Sequence, residues 1–157
     1  HPIHRAPVSV ADCVRGAMVT AALPADVQVQ LDGLDDLPPA LGAPRSLTMV
    51  FANLFENAVE AMGGQGVIAV RGSVLSSAQL RIAVTDSGPG IPADLHERIF
   101  DLDFSRRSPR SGQSGRLGFG LWWVKTWMAR LGGSVSVESD GRHGTTFWLT
   151  LPRVKEA

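Results

Sequence analysis

The spacing of apolar positions changes several times along the chain, and each change marks a predicted element. Val10, Val14, Ala17, Met18 and Ala21 recur at helical spacing, which predicts a first helix over residues 8–23. Ser9 or Asp12 fits as its N-cap, and Pro24 stops it. Val27, Val29 and Leu31 then alternate with polar residues, the period of a strand. The run DGLDDLPPALGAP is expected to be extended, because proline restricts both itself and the residue before it. A longer helix is predicted over 45–62, ended by Gly63-Gly64. Residues 67–74 and 79–86 read as two strands joined by a short polar turn. The second alternates Leu80, Ile82 and Val84 and runs into Asp86-Ser87-Gly88-Pro89-Gly90. After a polar stretch come Gly118-Phe119-Gly120, a helix over residues 120–131, Gly132-Gly133 and two last strands, SVSVES and TTFWLTLP.

That order suits helices gathered on one face of a mixed, mostly antiparallel sheet better than a doubly wound parallel sheet. The expected fold class is therefore α+β, a two-layer sandwich with three helices on one face. At 157 residues, 1–157 reads as a single domain, since domains run to roughly 100–200 residues. The stretch 101–116 has four Ser, two Gly, one Pro and four Arg, too few apolar residues to bury itself, and reads as a mobile functional loop.

Composition narrows the partners. Fifteen Lys and Arg balance fifteen Asp and Glu, which argues against general nucleic-acid or membrane-surface binding, both of which need excess positive charge. An apolar run of about 18 residues is absent, so no membrane span is expected. The lone Cys13 cannot form an internal disulfide, which makes a reducing compartment the default. The chain begins at His1 and shows no secretory signal, so it reads as a piece of a longer protein.

Three segments carry candidate chemistry. On the long helix Asn53, Glu56, Asn57 and Glu60 share an arc of about 100°. A solvated face would carry Lys and Arg in opposite-charge pairs, and this stripe has none. Oxygen donors at this spacing suit a hard divalent ion such as Mg²⁺, which takes its remaining ligands from water and phosphates. In VTDSGPGIP a strand delivers Asp86, whose carboxylate can accept from an exocyclic amine such as that of adenine, and Gly88 and Gly90 let backbone approach a flat ring. Asp and Gly also abound in ordinary turns, so this segment alone is weak. In SGRLGFGLWWVK, Gly115, Gly118 and Gly120 open a helix whose N-terminus suits phosphate, without the Walker or dinucleotide-binding pattern. Trp123, Trp127 and Leu131 share one side of that helix and read as core-facing, with Trp122 off that side.

Taken together, NLFENAVEA (53–61), DSGPG (86–90), IFDLDF (99–104), GRLGFGL (115–121) and LGGSVSVES…GTTFWLTLP (131–152) resemble, in order, the conserved boxes of the sensor histidine kinase ATP-binding domain. That domain belongs to the superfamily shared with gyrase, the Hsp90 chaperones and MutL. The resemblance implies a Bergerat-type ATP-binding fold, ATP and Mg²⁺ as cofactors, and transfer of the γ-phosphoryl group to a histidine on a separate dimerisation domain. It implies that Asn57 coordinates Mg²⁺, with Asn53 assisting near the phosphates. Asp86 would read the adenine amine, in a pocket shaped by Gly88 and Gly90. Phe100 and Phe104 would hinge a lid formed by 101–116, from which Arg106 or Arg107 reaches the γ-phosphate. Gly118 and Gly120 would face the phosphates, Gly115 and Leu121 would belong to the same ATP site, and Thr145 would lie near adenine.

The resemblance further implies a response regulator as an indirect partner, no nucleic acid, no direct membrane contact by this domain, and a cytoplasmic location that permits a membrane-anchored parent. The chain departs from the pattern at Glu60 and Ala61, where many such kinases carry Lys and an aromatic that covers adenine. No phosphoacceptor helix is visible, and no general base is expected within the chain. Gyrase-type ATPases and anti-sigma serine kinases place a glutamate where Asn53 stands. A non-catalytic docking module remains an alternative.

Overall fold

The computed structural model describes residues 4–102, 104 and 120–155. Strand β1 (Ala6–Val8) leads into helix α1 (Val10–Thr20), then strands β2 (Val27–Asp32) and β3 (Ala40–Gly42), and helix α2 (Pro44–Ala61). Strands β4 (Gly66–Val74) and β5 (Gln79–Asp86), two short 3-10 turns at Ala93–Leu95 and Arg98–Phe100, helix α3 (Gly120–Arg130) and strands β6 (Ser134–Glu138) and β7 (Thr145–Pro152) follow.

The main sheet runs β2-β4-β5-β7-β6, with β2 parallel to β4 and every other pair antiparallel. Strand parity assigns its two faces, because successive side chains point to opposite sides. Ile68 and Val70 on β4, Leu80, Ile82 and Val84 on β5, and Phe147, Leu149 and Leu151 on β7 are all buried and form one apolar face. Helix α2 meets it with Leu47, Val50, Phe51, Leu54, Phe55 and Ala58. Helices α1 and α3 both pack against α2, which gives the expected two layers with, among the described residues, three helices on one face.

Local chemistry explains the element ends. The Ser9 hydroxyl accepts from the Asp12 amide at 3.2 Å, so Ser9 is the N-cap of α1. Helix α2 has no side-chain cap, but Pro44 in its first turn lacks the N–H that would need one.

Two features differ from the sequence reading. The first is the small antiparallel pair β1–β3, with Pro7 opposite Leu41. Three-residue strands are too short to show a period, so the sequence predicts only extended structure around β3 and puts Val8, the end of β1, in the first helix. The pair is held to the main body by the Val154 amide, which donates to the Pro39 carbonyl at 3.1 Å. The second concerns α3. Its buried side is Leu121, Val124 and Met128, continued by Leu131, and not the Trp123–Trp127 line. The two indoles stack on each other at 5.3 Å between ring centroids, half-buried at the margin of the core, and Arg130 lies 4.6 Å over Trp127. A bulky indole with an N–H to satisfy is rarely enclosed completely, so the smaller branched residues take the interior. Among the described residues, no helix is long and apolar enough to cross a membrane.

Candidate functional site

The parity that makes β5 and β7 apolar inward also delivers two polar groups to the same face at one end. Asp86 follows Leu80, Ile82 and Val84 in register, and Thr145 precedes Phe147, Leu149 and Leu151. The two residues are direct cross-strand partners at the end of the central strand. Both are almost enclosed, Asp86 at 4% and Thr145 at 3% exposure. The next rung in from this end, Thr85 with Thr146 on the other face of the sheet, is closed by a hydroxyl pair at 2.9 Å.

The segment after Asp86 turns back at once. The Gly88 amide donates to Asp86 Oδ1 at 2.8 Å, fixing the carboxylate against its own loop. Gly88 also runs beside the end of α2, where a Cβ on it would stand 3.3 Å from the Ala61 carbonyl oxygen. Gly90 has a positive φ of 88°, and a Cβ there would lie 2.7 Å from the Ser139 hydroxyl and 2.9 Å from the Arg142 nitrogen. Glycine at 90 therefore has a packing reason, close approach to the turn between β6 and β7, besides any ligand it lets in.

Helix α2 carries the amide stripe to this loop. Asn53, Asn57 and Ala61 are successive i, i+4 positions and so lie above one another on one face, and Ala61 abuts Gly88. Asn53 is buried, and its amide nitrogen donates to the Met49 carbonyl at 2.8 Å. That bond uses the donor end and leaves Asn53 its carbonyl oxygen. Asn57 is half-buried, and no hydrogen bond joins its side chain to another described residue, so its amide oxygen is available. An uncommitted neutral oxygen on this stripe is the donor type a hard cation takes when phosphates and water supply the rest.

Phe100 packs edge-on against Phe147 at 6.2 Å, joining the second 3-10 turn to β7. Phe104 is half-buried against the core. Gly120 opens α3, and Leu121, its second residue, is buried. Arg106, Arg107, Gly115 and Gly118, with nearly all of the stretch 101–116 expected to form a lid, lie outside the described residues. A hollow of about 350 Å³ on the opposite face of the sheet is lined by Arg71, Arg81 and Trp148. It is separated by the sheet from the Asp86–Asn57 end.

Several supports of the site escaped the sequence reading. Ser87 donates to Met62 Sδ and accepts from the Val67 amide at 3.0 Å, clamping the loop to α2 and β4. His96 Nε2 lies 2.8 Å from the Ile91 carbonyl. In the β6–β7 turn Asp140 accepts from the backbone of Arg142 and His143 and pairs with the His143 ring at 2.8 Å. The sequence signal was the turn-forming run SDGRHG, which says where a turn is but not what it touches. The His143 hydrogen bond, then the two amides, hold the Asp140 carboxyl down at about 2. Its ordinary value is 3.8, so the stabilisation it gives is complete above that value and is lost as pH falls through about 2. On acidification across that window the Arg142 and His143 amides are expected to lose their protection from exchange, followed by NMR. Because Asp140 is exposed, solvent screening keeps the effect local.

The family model described as "Histidine kinase-, DNA gyrase B-, and HSP90-like ATPase" matches residues 42–155. The sensor histidine kinase ZraS of Escherichia coli (strain K12) is 38% identical over 127 residues, covering 81% of this chain and 26% of ZraS. The sensory histidine kinase/phosphatase NtrB of Rhodobacter capsulatus is 35% identical over 166 aligned positions, covering 96% of this chain and 44% of NtrB. The chain thus spans less than half the length of these curated relatives. Among solved structures, full-length ShkA in complex with AMPPNP superposes with a TM-score of 0.79 at 26% identity, covering 100% of this chain and 33% of ShkA. The mycobacterial sensor histidine kinase MprB gives 0.77 at 23% identity, covering 97% and 99% of the two chains, a likeness of fold.

Proposed function

The chain belongs to the histidine kinase-, DNA gyrase B- and HSP90-like ATPase family, and from that membership we propose that it is the ATP-binding catalytic domain of a two-component sensor histidine kinase. The observation that carries this reading is the Asp86–Thr145 pair, a carboxylate and a hydroxyl where the inward face of the central strands stops being apolar. Such a pair accepts from and donates to the edge of a purine. Asn57 would supply the oxygen for a Mg²⁺ held between protein and phosphates, with Asn53, one turn earlier on the same stripe of α2, assisting near the phosphates. Bound there, the ion would neutralise phosphate charge, the main service such sites give phosphoryl transfer.

The γ-phosphoryl group would pass to a histidine on a dimerisation domain of the parent protein, and from there to a response regulator, with the domain working in the cytoplasm. Arg106 or Arg107 of the lid would approach the γ-phosphate, with Gly115 and Gly118 beside the phosphates. A water-activating ATPase is disfavoured at Asn53, which is an amide already bonded to Met49 and cannot take a proton.

Calorimetric titration with AMPPNP tests the reading. Binding is expected to be Mg²⁺-dependent, and Asn57→Ala is expected to weaken the Mg²⁺-bound form about tenfold by removing one ligand oxygen. Unchanged Mg²⁺ dependence in that variant removes the role from Asn57. Absent binding by the unaltered chain points to a docking module, and rapid steady hydrolysis by the chain alone points to a gyrase-type ATPase.

A further inference from the structure

The hydroxyl of Ser139 uses its whole hydrogen-bonding capacity on backbone at one junction. It accepts from the Ile91 amide at 2.9 Å and from the Gly141 amide at 3.2 Å, and it donates to the Gly144 carbonyl at 2.9 Å. A serine hydroxyl has one proton and two lone pairs, so nothing is left over. Gly144 in turn donates its amide to the Gly88 carbonyl at 2.7 Å. The result is a closed circuit from Gly88 through Gly144 and Ser139 to Ile91. It fastens both ends of the loop that follows Asp86 to the β6–β7 turn. Gly90 lies between those ends and approaches the same hydroxyl too closely for any side chain.

We propose that Ser139 is a positioning residue for base recognition, setting the selectivity of the site for adenine through the Gly88–Ile91 loop without touching the nucleotide. The proposal rests on the reading of the Asp86–Thr145 end as an adenine-nucleotide site. The physical reason is the precision that base reading needs. Asp86 is fixed on its loop side by the Gly88 amide, and the Gly88 carbonyl is fixed by Gly144. Without the Ser139 hydroxyl, the Ile91 amide and Gly144 carbonyl lose their partner. The half-buried position of Ser139 lets water replace it, so the fold survives while the loop gains freedom. A carboxylate that wanders loses discrimination between an amine and a carbonyl on the purine faster than it loses general affinity.

The experiment compares Ser139→Ala and Ser139→Thr with the unaltered chain. Calorimetry measures affinity for AMPPNP and for its guanine counterpart, both with Mg²⁺, and a thermal melt runs in parallel. Ser139→Ala is expected to bind AMPPNP about tenfold more weakly, with the adenine-over-guanine ratio falling, while Ser139→Thr, which keeps the hydroxyl, retains both. A folded Ser139→Ala with unchanged affinity and ratio overturns the proposal. So does an equal loss for both nucleotides that follows only the drop in melting temperature. Should Ser139→Ala fail to melt cooperatively, amide exchange in the unaltered protein decides. Slow exchange at Ile91, slower still with AMPPNP, supports the circuit, and fast exchange there overturns it. Failure of the unaltered chain to bind AMPPNP is a different result and removes the nucleotide reading itself.

Discussion

Asp86→Asn is expected to lower affinity for AMPPNP about 100-fold while leaving the protein folded, because a buried acceptor of an amine becomes a donor facing it. The substitution is nearly isosteric. Its remaining carbonyl oxygen can still accept from the Gly88 amide, now bonded to Asp86 Oδ1 at 2.8 Å, so the loop keeps its shape. What changes is the second corner of the group, where an oxygen is replaced by an NH₂. An exocyclic amine meeting that NH₂ leaves two donors opposed in a pocket where Asp86 is only 4% exposed, and water cannot relieve them. The same variant should gain relative affinity for the inosine analogue, whose carbonyl replaces the amine. Calorimetry with both nucleotides, beside a thermal melt, checks the pair of outcomes. A folded variant with undiminished AMPPNP affinity ends the assignment of Asp86 to the base.

The sequence made this pocket half visible, and the division has a physical cause. The period of β5 told which way Asp86 points, because a strand's parity is local: Leu80, Ile82 and Val84 face the helices, so Asp86 does too. The helical period of α2 likewise put Asn53 and Asn57 on one stripe. Thr145 came only from the family resemblance, although register places it directly beside Asp86. Its neighbour Thr146 touches Thr85 across 61 positions of chain, and a pairing that distant leaves no periodic trace. The Ser139 circuit was invisible for the same reason. It consists of side-chain-to-backbone bonds between two turns, and turn composition does not encode which turn meets which. For α3 the period was read correctly and the face wrongly. Trp123, Trp127 and Leu131 do share a side, but only Leu131 is enclosed; size and the indole N–H leave the two tryptophans half-buried against the core beside Leu121, Val124 and Met128. The pair β1–β3 is closed by backbone hydrogen bonds over three residues each, below the length at which hydrophobic spacing says anything.

Gly144→Ala is expected to damage stability and nucleotide binding together, since Gly144 stands where the fold and the site share an atom. Its φ is +76°, a conformation that costs an L-residue about 1–2 kcal/mol. A Cβ there would also press into the Asp86 carbonyl oxygen, and that atom is backbone, so no rotamer change can make room. The main chains of residues 86 and 144 must separate, which strains the adjoining Asp86–Thr145 rung and the Gly144-to-Gly88 hydrogen bond. Together these predict a loss of about 2–4 kcal/mol in urea unfolding. AMPPNP affinity is expected to fall by at least about tenfold, because the carboxylate and hydroxyl shift with their backbone. Gly63→Ala is the matched control. Its φ is +69°, but a Cβ there meets nothing within 4 Å. It should lose only the conformational part, about 1–2 kcal/mol, with binding unchanged. Equal losses in the two variants, with AMPPNP affinity intact in both, would show that Asp86 is not held in place by its contact with Gly144.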